Sequence, residues 1–92
     1  MTGTAFVRST ALSRTVDGDV LLTRPGREGV DRLSATAGAV WSLLEEPHTA
    51  AWLVDELCRR FEAPRERVEV DVGHLLADLA ERGWIREVEV GG

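Results

Sequence analysis

Lysine, asparagine, glutamine and tyrosine are absent from this chain of 92 residues, and cysteine occurs once. A single cysteine, Cys58, permits no internal disulfide and no cysteine-based structural zinc site. It falls on the apolar side of a helical pattern, which suits a small core residue. Every basic residue is arginine, and 11 of them face 16 acids for a net charge of −5. A chain without a basic surplus is poorly equipped to neutralise phosphates, so no nucleic-acid partner is expected. No apolar run approaches a membrane span, so no membrane role is expected either. The first ten residues, MTGTAFVRST, lack the apolar centre of a secretory signal, which leaves a cytoplasmic location as the expectation. The missing lysine, asparagine and tyrosine point to a GC-rich coding sequence, a matter of ancestry rather than mechanism.

What remains is an ordinary globular inventory, 43% apolar. Its length supports one domain, residues 1–92, with a single core spanning about 12–85. Ala5-Phe6-Val7 is either a short strand or an edge of the core behind a frayed start. Leu12–Val16 and Asp19–Thr23 flank Asp17-Gly18, a pair that tolerates the positive φ of a two-residue hairpin turn. The loop RPGREG leads to a short third strand, Val30–Leu33, with Val30 and Arg32 on one side and Asp31 and Leu33 on the other.

At Ser34 the period changes from two to that of a helix, with Ser34 as N-cap. Ala37, Val40, Trp41 and Leu44 form the buried face of a first helix ending near Glu45-Glu46. Thr49 caps a second, whose buried face holds Leu53, Val54, Leu57, Cys58 and Phe61. The third runs from Arg65 to a C-terminal stop at Gly83. Val68, Val72, Leu75, Leu76 and Leu79 line its buried face. Beside them runs a second stripe, Asp71, Leu75, Asp78 and Arg82, apolar at its centre and charged at its ends. WIREVEV alternates and suits a short terminal strand. A three-stranded N-terminal antiparallel sheet on a three-helix bundle is an α+β domain of winged helix-turn-helix type.

No enzyme constellation assembles from these residues. His48 lies in a turn and His74 on the solvent side of the third helix, without metal-ligand spacing. RPGREG lacks the lysine and following helix of a phosphate loop. Neither catalytic residues, metal nor cofactor is expected, which leaves binding roles. A DNA-binding winged helix would use the third helix for reading. That helix carries Arg65, Arg67 and Arg82 against Glu66, Glu69, Asp71, Asp78 and Glu81, a poor charge for a phosphate-lined groove. A peptide-binding module would instead accept an extended peptide at a free sheet edge, with Val30–Leu33 as the candidate edge and the helix stripe as the facing wall. A generic protein-interaction adaptor of the same fold is a third possibility.

The residues from Leu12 to Ile85 resemble the PqqD-like family, also called RiPP recognition elements. The resemblance is carried by Leu33-Ser34, Thr36-Ala37, Val40-Trp41, Leu43-Leu44 and Thr49. It continues in VEVDV from Val68, in Leu75-Leu76 and Leu79, and in Arg82-Gly83. DVLLT and VDRL match the family's second and third strands. Glu45-Glu46-Pro47-His48 departs from the usual Asp-Gly-type turn, and Trp52 stands where a polar residue is common. The resemblance implies a monomer that binds the leader of a ribosomally made precursor peptide. It would present that leader to a leader peptidase or another maturation enzyme. Val30, Asp31, Arg32 and Leu33 would pair with the leader, and Asp71, Leu75, Asp78 and Arg82 would form the opposite wall. Lasso-peptide clusters are the favoured setting, with leader anchors that are aromatic, proline and leucine. Asp71 and Asp78 suggest a basic leader residue opposite them. Trp52, on the far side of the second helix from Leu53 and Leu57, is either the candidate contact for the partner enzyme or an aromatic folded over the helix end onto Pro47.

Overall fold

The computed structural model describes residues 3–26 and 28–90. Asp17 and Gly18 both adopt positive φ, 51° and 85°, the geometry of a type I′ turn. That turn joins strand β2 (Leu12–Val16) to β3 (Asp19–Thr23), numbering β1 as the N-terminal strand Gly3–Arg8. The ladder runs from Val16↔Asp19 to Leu12↔Thr23. Strand β4 (Asp31–Leu33) pairs with the other side of β3 through Leu22↔Asp31 and Val20↔Leu33. It begins one residue later than the alternation suggests, and Val30 stands outside it, 59% exposed. Val20, Leu22 and Leu33 are buried and seat this small sheet, the wing, on the helices.

The helices follow their caps. Ser34 Oγ accepts the Ala37 N–H at 3.3 Å and opens α1 (Ala35–Leu43). Its Ala37, Val40 and Trp41, with Leu44 just beyond, are buried as expected. The helix stops slightly before the anticipated Glu45-Glu46. Thr49 Oγ1 accepts the Trp52 N–H at 3.1 Å and opens α2 (Ala50–Arg60). Leu53, Val54 and Leu57 are buried and Cys58 packs at the core's edge. Phe61 departs from the expected face: it follows the last helical turn in extended backbone and is 45% exposed. In α3 (Arg65–Glu81), Val68, Val72, Leu76 and Leu79 are buried, while Leu75 is half-buried at the flank.

Gly83 ends α3 with φ of 80°. Its N–H donates to Ala80 O, and the Trp84 N–H reaches back to Leu79 O at 2.9 Å. This pair of bonds is a Schellman stop, which reverses the chain and turns Trp84 into the core.

The terminal segments build more than their local patterns suggest. Strand β1 pairs along its whole length with β6 (Ile85–Val90), from Gly3↔Val90 to Arg8↔Ile85. On its other side it pairs with β5 (His48–Thr49). The anticipated frayed start is therefore, from Gly3 onward, the central strand of a second antiparallel sheet, ordered β5-β1-β6. Its partner lies at the other end of the chain, and alternation specifies a strand's faces, not its neighbour. The Arg8 N–H donates to Leu44 O and the Ser9 N–H to Trp84 O, both at 2.8 Å, which ties this sheet to the helices. The buried Trp41 indole is satisfied by the same Trp84 carbonyl at 3.3 Å.

Candidate functional site

Strand β4 is the last strand of the wing, so one side of its backbone has no strand partner. Helix α3 presents Leu75 and its charged neighbours toward the segment that follows β4. Thr36, in the first turn of α1, lines a hollow with Asp71, His74, Leu75 and Asp78. Thr36, Asp71 and Leu75 also border a smaller apolar pocket of about 190 Å³, completed by Leu57, Phe61 and Val68 among others. At the opposite end, a polar hollow of about 240 Å³ is lined by Arg24, Glu28, Val30, Asp31, Arg82 and Trp84. Together these form a cleft whose two ends differ in chemistry.

The expected residues divide by where the fold sends their side chains. Asp31 faces the end of α3: its carboxylate accepts the Trp84 indole N–H and lies 3.9 Å from Arg82. Arg32 turns to the outer face of the wing and pairs with Asp19 at 3.3 Å. Leu33 is in the core, and Val30 stands exposed at the cleft mouth. β4 thus offers the cleft its backbone more than its side chains. Asp71, Leu75 and Asp78 share one hollow, as the helical spacing required. Arg82 sits at the helix C-cap and meets Asp78 at 3.2 Å. Asp71 has Arg67 one turn away at 3.9 Å. Both carboxylates have an arginine one turn away on the helix, in exposed pairs that leave each carboxylate open to solvent.

Trp52 is half-buried rather than a free exposed anchor. The His48 ring covers one of its faces, with centroids 3.5 Å apart and planes 8° from parallel.

Several lining residues were not legible as such. Thr36 and Phe61 border the apolar end, and Arg24 and Trp84 the polar end. Trp84 had a local signal, since an apolar residue after a helix-ending glycine folds back onto the helix. Arg24 had none: its partners lie 58 and 60 positions away in the chain.

Comparison with known proteins bears on this arrangement. Residues 19–85 match the family model for coenzyme PQQ synthesis protein D (PqqD). A PqqA binding protein from Methylococcus capsulatus is 36% identical over 61 residues, covering 66% of this chain and 63% of that relative. The aligned stretch thus spans less than two thirds of the relative's length. The fold also matches TbiB1, solved in complex with the TbiA(beta) leader peptide, with a TM-score of 0.75 and 28% identity over 87% of this chain and 94% of that one. The matched family segment contains β3, β4, all three helices and every cleft residue named above, and on that match the chain belongs to the PqqD family.

Proposed function

We propose that this protein binds the leader of a ribosomally made precursor peptide and presents it to a maturation enzyme without catalysing chemistry itself. The observation that carries the reading is the unpaired side of β4, a strand tied to the end of α3 through Asp31 and Arg82, with the Leu75 hollow of α3 opening beside Thr36 just past the strand. An extended peptide adds to that edge as a further strand. The likeness to TbiB1 and to a PqqA binding protein supports the same reading.

Energetics set what the peptide must bring. Three residues of β4 offer few ladder hydrogen bonds, each worth about 0.5–1.5 kcal/mol net. Most of the affinity therefore comes from side-chain burial. The pocket between Leu57, Phe61, Val68 and Leu75 suits one apolar or aromatic side chain, worth roughly 1.5–3 kcal/mol when fully buried. The ligand is thus an extended segment with an apolar anchor, as a lasso-peptide leader would supply. The partner is a leader peptidase or modifying enzyme, in the cytoplasm.

The test uses labelled TbiA(beta) leader, labelled PqqA and peptides selected from a displayed random library, read by fluorescence anisotropy, with a labelled DNA duplex as control. Saturable peptide binding is expected. Leu75→Glu should weaken it by roughly 30-fold or more through loss of the apolar anchor. Its cost in stability should be only about 1 kcal/mol, because Leu75 is half-buried. Selection of no peptide, peptide binding indifferent to Leu75→Glu, or salt-sensitive duplex binding alone would overturn the reading.

A further inference from the structure

We infer that Arg24, Asp31, Arg82 and Trp84 form a clasp that fixes the gap between β4 and α3 and closes one end of the cleft. The inference rests on the peptide-binding reading and assigns positioning roles within it. The Schellman stop at Gly83 places Trp84 beneath the wing, where its indole N–H donates to the Asp31 carboxylate on β4. The Arg24 guanidinium, just past β3, lies 4.4 Å from the centroid of the same indole. It also donates to the Arg82 carbonyl at 2.7 Å, one of the oxygens that a helix end leaves without an intrahelical partner. Arg82 closes the circuit, its Nη1 3.9 Å from Asp31. Gly83 is part of the device, because a Cβ there would lie 2.5 Å from Arg24 Nη2.

These contacts join the loop after β3, the strand β4 and the end of α3. The other end of the cleft has no counterpart. Among the described residues, no side-chain hydrogen bond or ion pair links Thr36 with the Asp71–Asp78 stretch across it. The groove is therefore pinned at Asp31 and open toward Thr36 and Phe61. Pinning holds β4 at a set distance from α3 before any peptide arrives, so less ordering remains to be done on binding. It also fixes register. A strand added to β4 runs on past Leu33 into the open, apolar end, and beyond Asp31 it must leave the cleft over the Arg24–Trp84 stack. Asp31 is on this account committed to the protein's own indole and arginine, not to the peptide.

The experiment compares Trp84→Phe, Asp31→Ala, Asp31→Asn and the Trp84→Phe/Asp31→Ala double variant, with a library-selected peptide as the probe. Phenylalanine keeps a ring under Arg24 but deletes the N–H donor along with part of the buried indole's volume, so the Asp31 variants isolate the hydrogen bond. Trp84→Phe and Asp31→Ala should each weaken peptide binding roughly tenfold, the scale of one hydrogen bond to a charged group. The double variant should be no worse than either, and Asp31→Asn, which keeps an acceptor, should bind close to the parent protein. Backbone amides of β4 should exchange faster in Trp84→Phe while those of α2 do not change. Parental affinity in Trp84→Phe would overturn the clasp. So would a loss matched by equal acceleration of exchange in α2, which would mark a merely structural role. If instead the parent's peptide binding ignores Leu75→Glu, the peptide reading fails, while the β4 exchange pattern still reports whether the clasp exists.

Discussion

Among the described residues four strands, β2, β4, β5 and β6, have an unpaired side, and two of them, β4 and β6, are opposites. β6 is six residues long and lies at the edge of the terminal sheet. β4 is three residues long and lies at the edge of the wing. Length alone would make β6 the better template for a visiting strand. Yet β6 carries exposed Arg86, Glu87 and Glu89, the charged dressing that discourages edge-to-edge pairing. On β4 the charges are turned away from the open side, Arg32 to Asp19 and Asp31 to Trp84. Beyond it stands the wall of α3 with an apolar pocket. A receptive edge is thus made less by the strand than by its flank and by the removal of its own charges.

That contrast can be broken from either side. The largest effect should come from Leu22→Ala, which empties a fully buried site where the wing meets the helices. A loss of about 3 kcal/mol is expected, read as a lower urea midpoint in one transition because the wing and helices share one core. Gly18→Val should cost less, about 1–2 kcal/mol, by forcing a β-branched residue to φ of 85° in the turn that orders the wing. Its chemical denaturation curve should shift while α-helical circular dichroism before the transition stays unchanged. Smallest in stability is the Glu87→Val/Glu89→Val pair, expected within about 0.5 kcal/mol of the parent because both residues are exposed. Its effect should show elsewhere, as concentration-dependent self-association in sedimentation velocity. A variant that stays monomeric at all concentrations would show that the charges on β6 are not what keeps that edge unpaired.

The wing was legible because its determinants are local. Asp17-Gly18 demands a tight turn, and Ser34, Thr49 and Gly83 mark helix ends by side-chain or backbone chemistry that operates over a few residues. The stripe Asp71, Leu75, Asp78 was legible for the same reason, since helical spacing alone puts those residues on one side. The terminal sheet was not. Nothing in Ala5-Phe6-Val7 says that its partner is Arg86-Glu87-Val88. Phe61 was misplaced, because a wheel assumes the helix continues, and Trp52 was left between two readings, because a wheel omits the neighbours. In the fold Phe61 lies beyond the last turn, and His48 returns to cover Trp52. The clasp was invisible for a deeper reason: Arg24 and Trp84 meet only after the wing and α3 have both been built.

The pairing of Gly3 with Val90 has a mechanical consequence. β1 and β6 run antiparallel with Gly3 and Val90 side by side. Tension applied through those two residues therefore pulls across the ladder instead of along it. The six pairs from Gly3↔Val90 to Arg8↔Ile85 would open in succession, like a zipper, at low force. The wing, and with it the gap beside α3, lies off that load path. A tug between Gly3 and Val90 would spend itself first on that sheet and leave the cleft shaped as before.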